Sequence, residues 1–367
     1  MKGLLLVLLC LLHQGLMYDH PDEVVWQNRN ADIPYIANPD GTPYVISHRG
    51  ACGQMPDHSS AAYATAYYDG THFDEPDLQV TKDGVLFIMH NTCMKETTNI
   101  EKLHQFDDRR TDVKFSTNET ELHCEDDYLV NDFTWQELID AGLKVRNRFK
   151  TRSHYYDDLY PPMRLEDAIE LMLDLNEKAP VKDRKFKTGL YIETKAVRFY
   201  KDERNVDIAQ ILYDTLEKYD LHTVEKATEK LPIFIESFEQ DSLLYFKSKT
   251  DLPTVQLMTD SFEYDLDWIS SYSNGVGPKH TFMFNYDGEE FNLDKPSRFI
   301  QQCHALDMRV HPWVFQDDIL VYSEDAIDEA KIWETKGVDG YFTEFPHSTL
   351  NTLRYSEANR RKRLQSE

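Results

Sequence analysis

The sequence predicts an α/β protein, a TIM (β/α)₈ barrel with a small domain inserted after the third strand. Three observations predict it. Short β-rich runs alternate with helical patterns along most of the 367 residues, which implies parallel strands joined by helical crossovers. Eight such runs can be picked out, the number a closed parallel barrel needs. Residues 91–160 then interrupt the alternation with a stretch too long for an ordinary loop in a compact domain, which marks a functional loop or a small inserted domain.

The chain opens on Lys2 followed by an unbroken apolar run, Leu4–Leu12, broken by His13-Gln14-Gly15. That run is far shorter than the roughly 20 residues a bilayer span needs, and it reads as a secretory signal over residues 1–17. Cleavage is expected between Gly15 and His20. The protein is therefore expected to be secreted or extracytoplasmic, with the barrel domain over residues 42–355.

Tyr44–His48 is the first strand candidate and Ser60–Tyr68 the first helix. Phe73–Leu78 and Val85–His90 follow, joined by Thr81-Lys82-Asp83-Gly84. This link is too short for a parallel crossover, and Asp-Gly is a hairpin signal, so the two runs are expected to be antiparallel, with His90 roughly opposite Glu75. Within 91–160, Thr134 and Glu137 read as a capping box opening a helix. Lys144, Arg146, Arg148, Lys150 and Arg152 form a basic run that reads first as a solvated face, and otherwise as an attractor for an anionic substrate. Outside the leader the cysteines are Cys52, Cys93, Cys124 and Cys303. Four cysteines in an oxidising compartment allow three pairings, and Cys93–Cys124 is favoured because both lie in the irregular segment. Asn118-Glu119-Thr120 is a glycosylation sequon.

The later strand candidates are Gly189–Thr194, Pro232–Glu236, Thr254–Leu257, Arg309–Val314 and Gly340–Thr343. The helices between them are Leu165–Leu175, Val206–Tyr219, Asp241–Lys247, Ser297–Leu306 and Glu324–Lys336. The basic Arg360-Arg361-Lys362-Arg363 reads as a frayed tail.

Lys plus Arg is 40 and Asp plus Glu is 65, a formal net charge of −25. That excludes a nucleic-acid binder resting on a basic surface, and a polybasic membrane anchor. An acidic protein acting on an anion needs a cation or a few Arg and Lys in its site. The strand ends supply both. His48-Arg49-Gly50 ends the first strand, where catalysis resides in a barrel. Glu75 and Asp77 lie two apart and point to one face, and Glu193 ends another apolar run beside Lys195. Carboxylates aimed at one place repel unless a cation joins them, and oxygen-only ligands suit Ca²⁺ or Mg²⁺. Two His, three carboxylates, an Arg and a Lys together fit metal-assisted phosphoryl chemistry. P-loop, Gly-x-Ser-x-Gly and His-Glu-x-x-His motifs are absent from the sequence.

Several segments resemble the glycerophosphodiester phosphodiesterases in that family's order. They are His48-Arg49-Gly50-Ala51, Pro56-Asp57-His58-Ser59, Glu75-Pro76-Asp77-Leu78, Thr81-Lys82-Asp83-Gly84, His90 and Ile192-Glu193-Thr194-Lys195. They continue with Ser237-Phe238, His311-Pro312-Trp313 and Gly337-Val338-Asp339-Gly340-Tyr341-Phe342-Thr343-Glu344-Phe345-Pro346. Asn274-Gly275-Val276-Gly277-Pro278 and the length are most similar to the bacterial periplasmic, calcium-dependent members. The resemblance implies a TIM barrel that releases sn-glycerol 3-phosphate and an alcohol from small glycerophosphodiesters. It implies His48 and His90 as the acid/base pair, Glu75, Asp77 and Glu193 as ligands of Ca²⁺ or else Mg²⁺, Arg49 and Lys195 on the phosphate, and Trp313 lining the pocket. A monomer or small homo-oligomer is expected. Three positions depart from the family: Asp57 and Glu344 stand where Glu and Asp are usual, and Asn91 follows His90 where Asp is usual. Spider-venom sphingomyelinase D enzymes are similar around the His and carboxylates but lack the insertion. A silent binding protein would be free to lose one of these residues, and none is lost.

Overall fold

The computed structural model describes residues 30–179, 187–261, 263–283, 285–286, 291–292, 297–334 and 336–354. The leader and the basic tail lie outside them. The strands are β1 (Tyr44–His48), β2 (Phe73–Glu75), β3 (Asp77–Val80), β4 (Leu86–Ile88), β5 (Thr111–Ser116), β6 (Glu121–Asp127), β7 (Gly189–Thr194), β8 (Ile233–Ser237), β9 (Thr254–Met258), β10 (Gly275–Pro278), β11 (Asn285–Tyr286), β12 (Phe291–Asn292), β13 (Arg309–Val310) and β14 (Gly340–Thr343).

Hydrogen-bonded neighbours run β13-β10-β9-β8-β7-β2-β1-β14, all parallel. The ring closes where the chain beyond β13 meets β14: Phe342 N donates to Pro312 O at 3.1 Å and Phe315 N to Phe342 O at 2.8 Å. The result is the TIM barrel expected from the alternation. Its interior carries an aromatic layer. Tyr191 stacks on Phe234 at 4.7 Å, while Phe73, Phe342 and His311 meet Tyr191 edge-on at 5.1–6.0 Å. The His311 ring is bonded to the Tyr191 hydroxyl at 2.8 Å. Ring edges meeting ring faces fill this layer densely without polar loss.

Two strand expectations need correction. Val85–His90 is not a barrel stave. Leu86–Ile88 pairs antiparallel with β3, as the Asp83-Gly84 turn required, and bridges antiparallel to Arg164 on its other side. The eighth stave is instead Gly275–Pro278, which no strand pattern marked. An added Cβ on Gly275 would lie 2.7 Å from Arg309 O and one on Gly277 would lie 2.6 Å from Leu257 Cδ2, so close approach of neighbouring backbone at Gly275 and of a side chain at Gly277 decided their identity, not β propensity. Phe73–Leu78 is split in two by Pro76. Lacking an N–H, Pro76 cannot extend the ladder as a donor, but its carbonyl accepts from Glu193 N at 2.9 Å, so β3 resumes beside β7 in the register that β2 left.

Phe87 of β4 and the chain after it form a second hydrophobic cluster, which includes Met94, Phe106, Tyr128, Phe133 and Leu138. The capping box is present: Thr134 Oγ1 accepts from Glu137 N at the head of Trp135–Asp140. A hairpin over β5 and β6 was not anticipated, because its alternation is diluted by charged outward positions. Cys93 and Cys124 are disulfide-bonded, while Cys52 and Cys303 are buried thiols. Among the described residues, no helix is long and apolar enough to cross a membrane.

Candidate active site

His48, Glu75 and Glu193 lie at or next to the C-terminal ends of staves, where each strand runs into its loop. His48 ends β1 and Glu75 ends β2. Asp77 begins β3, and Glu193 is the penultimate residue of β7. The turn after β1 is tight. Arg49 has φ +64° and Gly50 φ +77°, and a Cβ on Gly50 would lie 2.7 Å from Ala62. Only glycine fits there. The left-handed Arg49 carries local strain at a functional end of a strand, and its amide is turned onto Glu75 Oε2 at 2.8 Å.

Glu75, Asp77 and Glu193 are buried together, with one oxygen of each lying within 4.8 Å of the others. Two cations frame them. Lys195 Nζ is 2.9 Å from Glu193 Oε1 and 3.2 Å from Asp77 Oδ1, and Arg49 Nε is 3.3 Å from Asp77 Oδ2. The Glu193–Lys195 ion pair therefore exists, but inside a larger cluster. His58 Nε2, 2.8 Å from Asp77 Oδ2, fills the remaining side of that carboxylate. Glu75 Oε1 is buried and makes no hydrogen bond.

Three carboxylates against two cations leave a net negative charge and an orphaned acceptor. That is the donor set of a hard divalent cation, and the residues fit one. With no cation between them, burial and then the charges of Asp77 and Glu193 push Glu75 well above the usual carboxylate range. Glu193 is raised to about 8, by burial first and Asp77 in addition, against the pull of Lys195. Burial alone would raise Asp77 too, but Lys195, His90 and Arg49 outweigh it and hold it low.

These shifts have a sign that can be measured. A carboxyl raised in the folded state favours folding below its ordinary value of 4.5 and loses that contribution as pH climbs to about 8. A bound divalent cation ionises the cluster and removes the loss. The gap in urea midpoint between cation-loaded and chelated protein is therefore expected to widen from pH 4.5 to pH 8. A gap independent of pH contradicts this placement of the cation.

The two histidines flank the cluster from different elements. The β3–β4 register puts Ile88 opposite Leu78, and Met89 N donates to Asp77 O at 2.9 Å. His90 thus emerges beside Pro76, one residue from the expected pairing with Glu75. Its Nδ1 is 2.5 Å from Asn91 Oδ1, and Asn91 Nδ2 donates to Glu96. His48 Nδ1 is 3.0 Å from Glu344 Oε1. Each imidazole is held at Nδ1, and Nε2 is left for chemistry. Burial, then Arg49, pushes His48 down to about 4. Burial, Arg49 and Lys195 push His90 well below its usual value.

Trp313 donates Nε1–H to Gly277 O at 2.8 Å and meets Phe238 edge-on at 5.8 Å. Phe238 in turn lies 5.9 Å from Lys195 Nζ. A cavity of about 710 Å³ runs from His90, Glu193 and Lys195 outward under the β5–β6 hairpin, so the inserted segment walls the site.

Five further residues belong to the site that the sequence reading did not assign to it. Glu236, level with Glu193 in the β7–β8 register, is a fourth buried carboxylate, and its Oε2 has no hydrogen-bond partner. Glu344, noted only as a departure, supports His48. Arg148 and Arg152 both bond Glu344, so for these two the solvated-face expectation fails. Arg152 is 7% exposed, whereas Lys150 is exposed. Asp57, despite its shorter reach, contacts Arg49 Nη1 at 3.2 Å.

A model of the glycerophosphoryl diester phosphodiesterase family matches residues 48–348. Among curated relatives, a glycerophosphodiester phosphodiesterase of Arabidopsis thaliana, GDPD6, is 28% identical over 335 residues, covering 84% of this chain and 85% of that one. The glycerophosphodiester phosphodiesterase of Haemophilus influenzae is 26% identical over 354 residues, covering 84% and 89%. Among solved structures, a putative glycerophosphoryl diester phosphodiesterase from Silicibacter pomeroyi superposes with TM-score 0.62 at 18% identity, over 88% of this chain and 96% of that one. An Oleispira antarctica phosphodiesterase in complex with the product sn-glycerol-3-phosphate superposes with TM-score 0.58 at 17% identity, over 85% and 97%. At such identities these superpositions speak for the barrel alone.

Proposed function

The chain belongs to the glycerophosphoryl diester phosphodiesterase family, and from that premise we propose a secreted, divalent-cation-dependent enzyme that splits small glycerophosphodiesters into sn-glycerol 3-phosphate and an alcohol. The observation that carries this reading is the buried Glu75, Asp77 and Glu193 trio with an orphaned oxygen, flanked by two histidines each held at Nδ1.

Glu75, Asp77 and Glu193 would hold the cation, Ca²⁺ by preference and Mg²⁺ as the alternative. When bound it neutralises phosphate charge. Arg49 and Lys195 contact the phosphate, and their ion pairs keep both side chains directed at the cluster. One imidazole takes a proton from the attacking water as the water oxygen bonds phosphorus. The other gives a proton to the departing alcohol oxygen as the P–O bond breaks. Trp313 and Phe238 form an apolar wall of the pocket beside Lys195. The product seen in the Oleispira antarctica structure supports glycerol 3-phosphate as the retained half.

Secretion is supported by the apolar N-terminal run, by the Cys93–Cys124 disulfide, which an oxidising compartment preserves, and by the exposed Asn118 at the sequon. Release of glycerol 3-phosphate from glycerophosphocholine, set against choline-lipid turnover in micelles, tests the reaction. Product from the soluble diester is expected, and turnover of intact lipid alone contradicts it. The protein for that assay, taken from the medium of expressing cells, is expected to begin between residues 15 and 20. Intracellular protein that retains Met1 contradicts secretion.

A further inference from the structure

We propose that Arg148, carried to the barrel mouth by the inserted segment, is a positioning residue that fixes His48 through Glu344 and Arg49 through Asp57. The inference rests on the reading of His48 as catalytic.

Arg148 Nη2 donates to Glu344 Oε1 at 2.6 Å, the same oxygen that His48 Nδ1 meets at 3.0 Å. Its Nε is 3.2 Å from Asp57 Oδ2, the same oxygen that Arg49 Nη1 meets at 3.2 Å. One guanidinium thus bridges two buried carboxylates, and each carboxylate holds one group that faces the reacting phosphate. Only a planar fork reaches both at once; an ammonium is a point donor. The Phe149 ring, 4.3 Å from the guanidinium carbon, backs it.

Arg152 has a different role. It bonds Asp318 at 2.8 and 2.9 Å, Cys52 O at 3.4 Å and Glu344 Oε2. With Gln316 on that oxygen at 2.6 Å, Glu344 is anchored without Arg148. What Arg148 adds is control of Oε1, the oxygen that sets the His48 ring. A buried carboxylate with four donors has no freedom to turn. Without Arg148, Oε1 has only the imidazole, and both partners gain a degree of freedom. Displacements well below an ångström at a proton-transferring group cost rate more than binding.

The test compares Arg148→Ala, Arg148→Gln, Arg148→Lys and His48→Ala in the full-length, cation-loaded protein on glycerophosphocholine. Arg148→Ala and Arg148→Gln are expected to lose about 10- to 100-fold in kcat, the usual effect of an orienting partner, with KM within about threefold. Arg148→Lys is expected to recover part of the loss, since it reaches one carboxylate. Millimolar methylguanidinium is expected to raise the rate of Arg148→Ala and to leave the parent unchanged. A kcat within twofold of the parent in both Arg148→Ala and Arg148→Gln overturns the proposal. So does a fall in kcat that tracks loss of folded protein and ignores methylguanidinium. Parental turnover in His48→Ala would instead overturn the reading of His48, so the two failures are distinguishable.

Discussion

Replacing His48 or His90 with Ala is expected to lower kcat by about 10²- to 10⁴-fold, the range carried by a positioned general acid or base. Both side chains present only Nε2 to the site, so each removal deletes one proton-transfer group and little else. Folding should survive. After His48→Ala, Glu344 keeps Arg148, Arg152 and Gln316 as donors, so no buried charge is orphaned. After His90→Ala, the backbone carbonyl of residue 90 still accepts from Gln79 Nε2 at 2.9 Å. Kinetics on glycerophosphocholine, with thermal unfolding and cation titration as controls, check this. Full activity in either folded variant contradicts its role.

Asp77→Asn and Glu193→Gln are expected to weaken divalent-cation binding by at least roughly 100-fold, and to lower kcat/KM on the order of 10³-fold, because the cation stabilises transition-state charge by several kcal/mol. Asp77 is the hub of the cluster. Its two oxygens meet His58, Arg49 and Lys195 as well as the proposed cation position. A neutral amide leaves the buried Arg49 and Lys195 charges under-compensated, which repels a cation and costs stability on the order of 3–5 kcal/mol. Glu193→Gln leaves Lys195 paired with Asp77 at 3.2 Å, so it separates cation affinity from stability better than Asp77→Asn does. Calorimetric titration with Ca²⁺ and Mg²⁺ reads the affinity directly. Unchanged affinity in Glu193→Gln removes that residue from the ligand set.

Much of the fold could be read from the sequence because it depends on local signals. The Asp83-Gly84 turn, the Thr134 capping box and the apolar runs of β1, β7 and β8 each follow from neighbouring residues. What escaped depends on contacts distant in sequence. β10 is Gly-Val-Gly-Pro, its glycines set by close contacts with the neighbouring strands, and it carries no strand pattern. Glu344 and His48 are 296 residues apart, and Arg148 and Glu344 are 196 apart. No periodicity connects them. Arg148 and Arg152 looked like part of a solvated run because Lys144, Arg146 and Lys150 surround them, and only the docking of the insertion separates buried from exposed members. Glu75 and Asp77 were legible because they lie two apart and point to one face, and Glu193 because it breaks an apolar run at a strand end, where an acidic residue is costly without a partner. Glu236 has the same signature in Ile233-Phe234-Ile235-Glu236 and could have been found by it.

The most direct test of the central claim is release of glycerol 3-phosphate from glycerophosphocholine by protein stripped with EDTA, before and after Ca²⁺ or Mg²⁺ is restored. The arrangement of Glu75, Asp77 and Glu193 predicts no product from the stripped protein and recovered turnover on addition of one of the two ions. Undiminished turnover after complete removal of divalent cations, or none with either ion from folded protein, contradicts it.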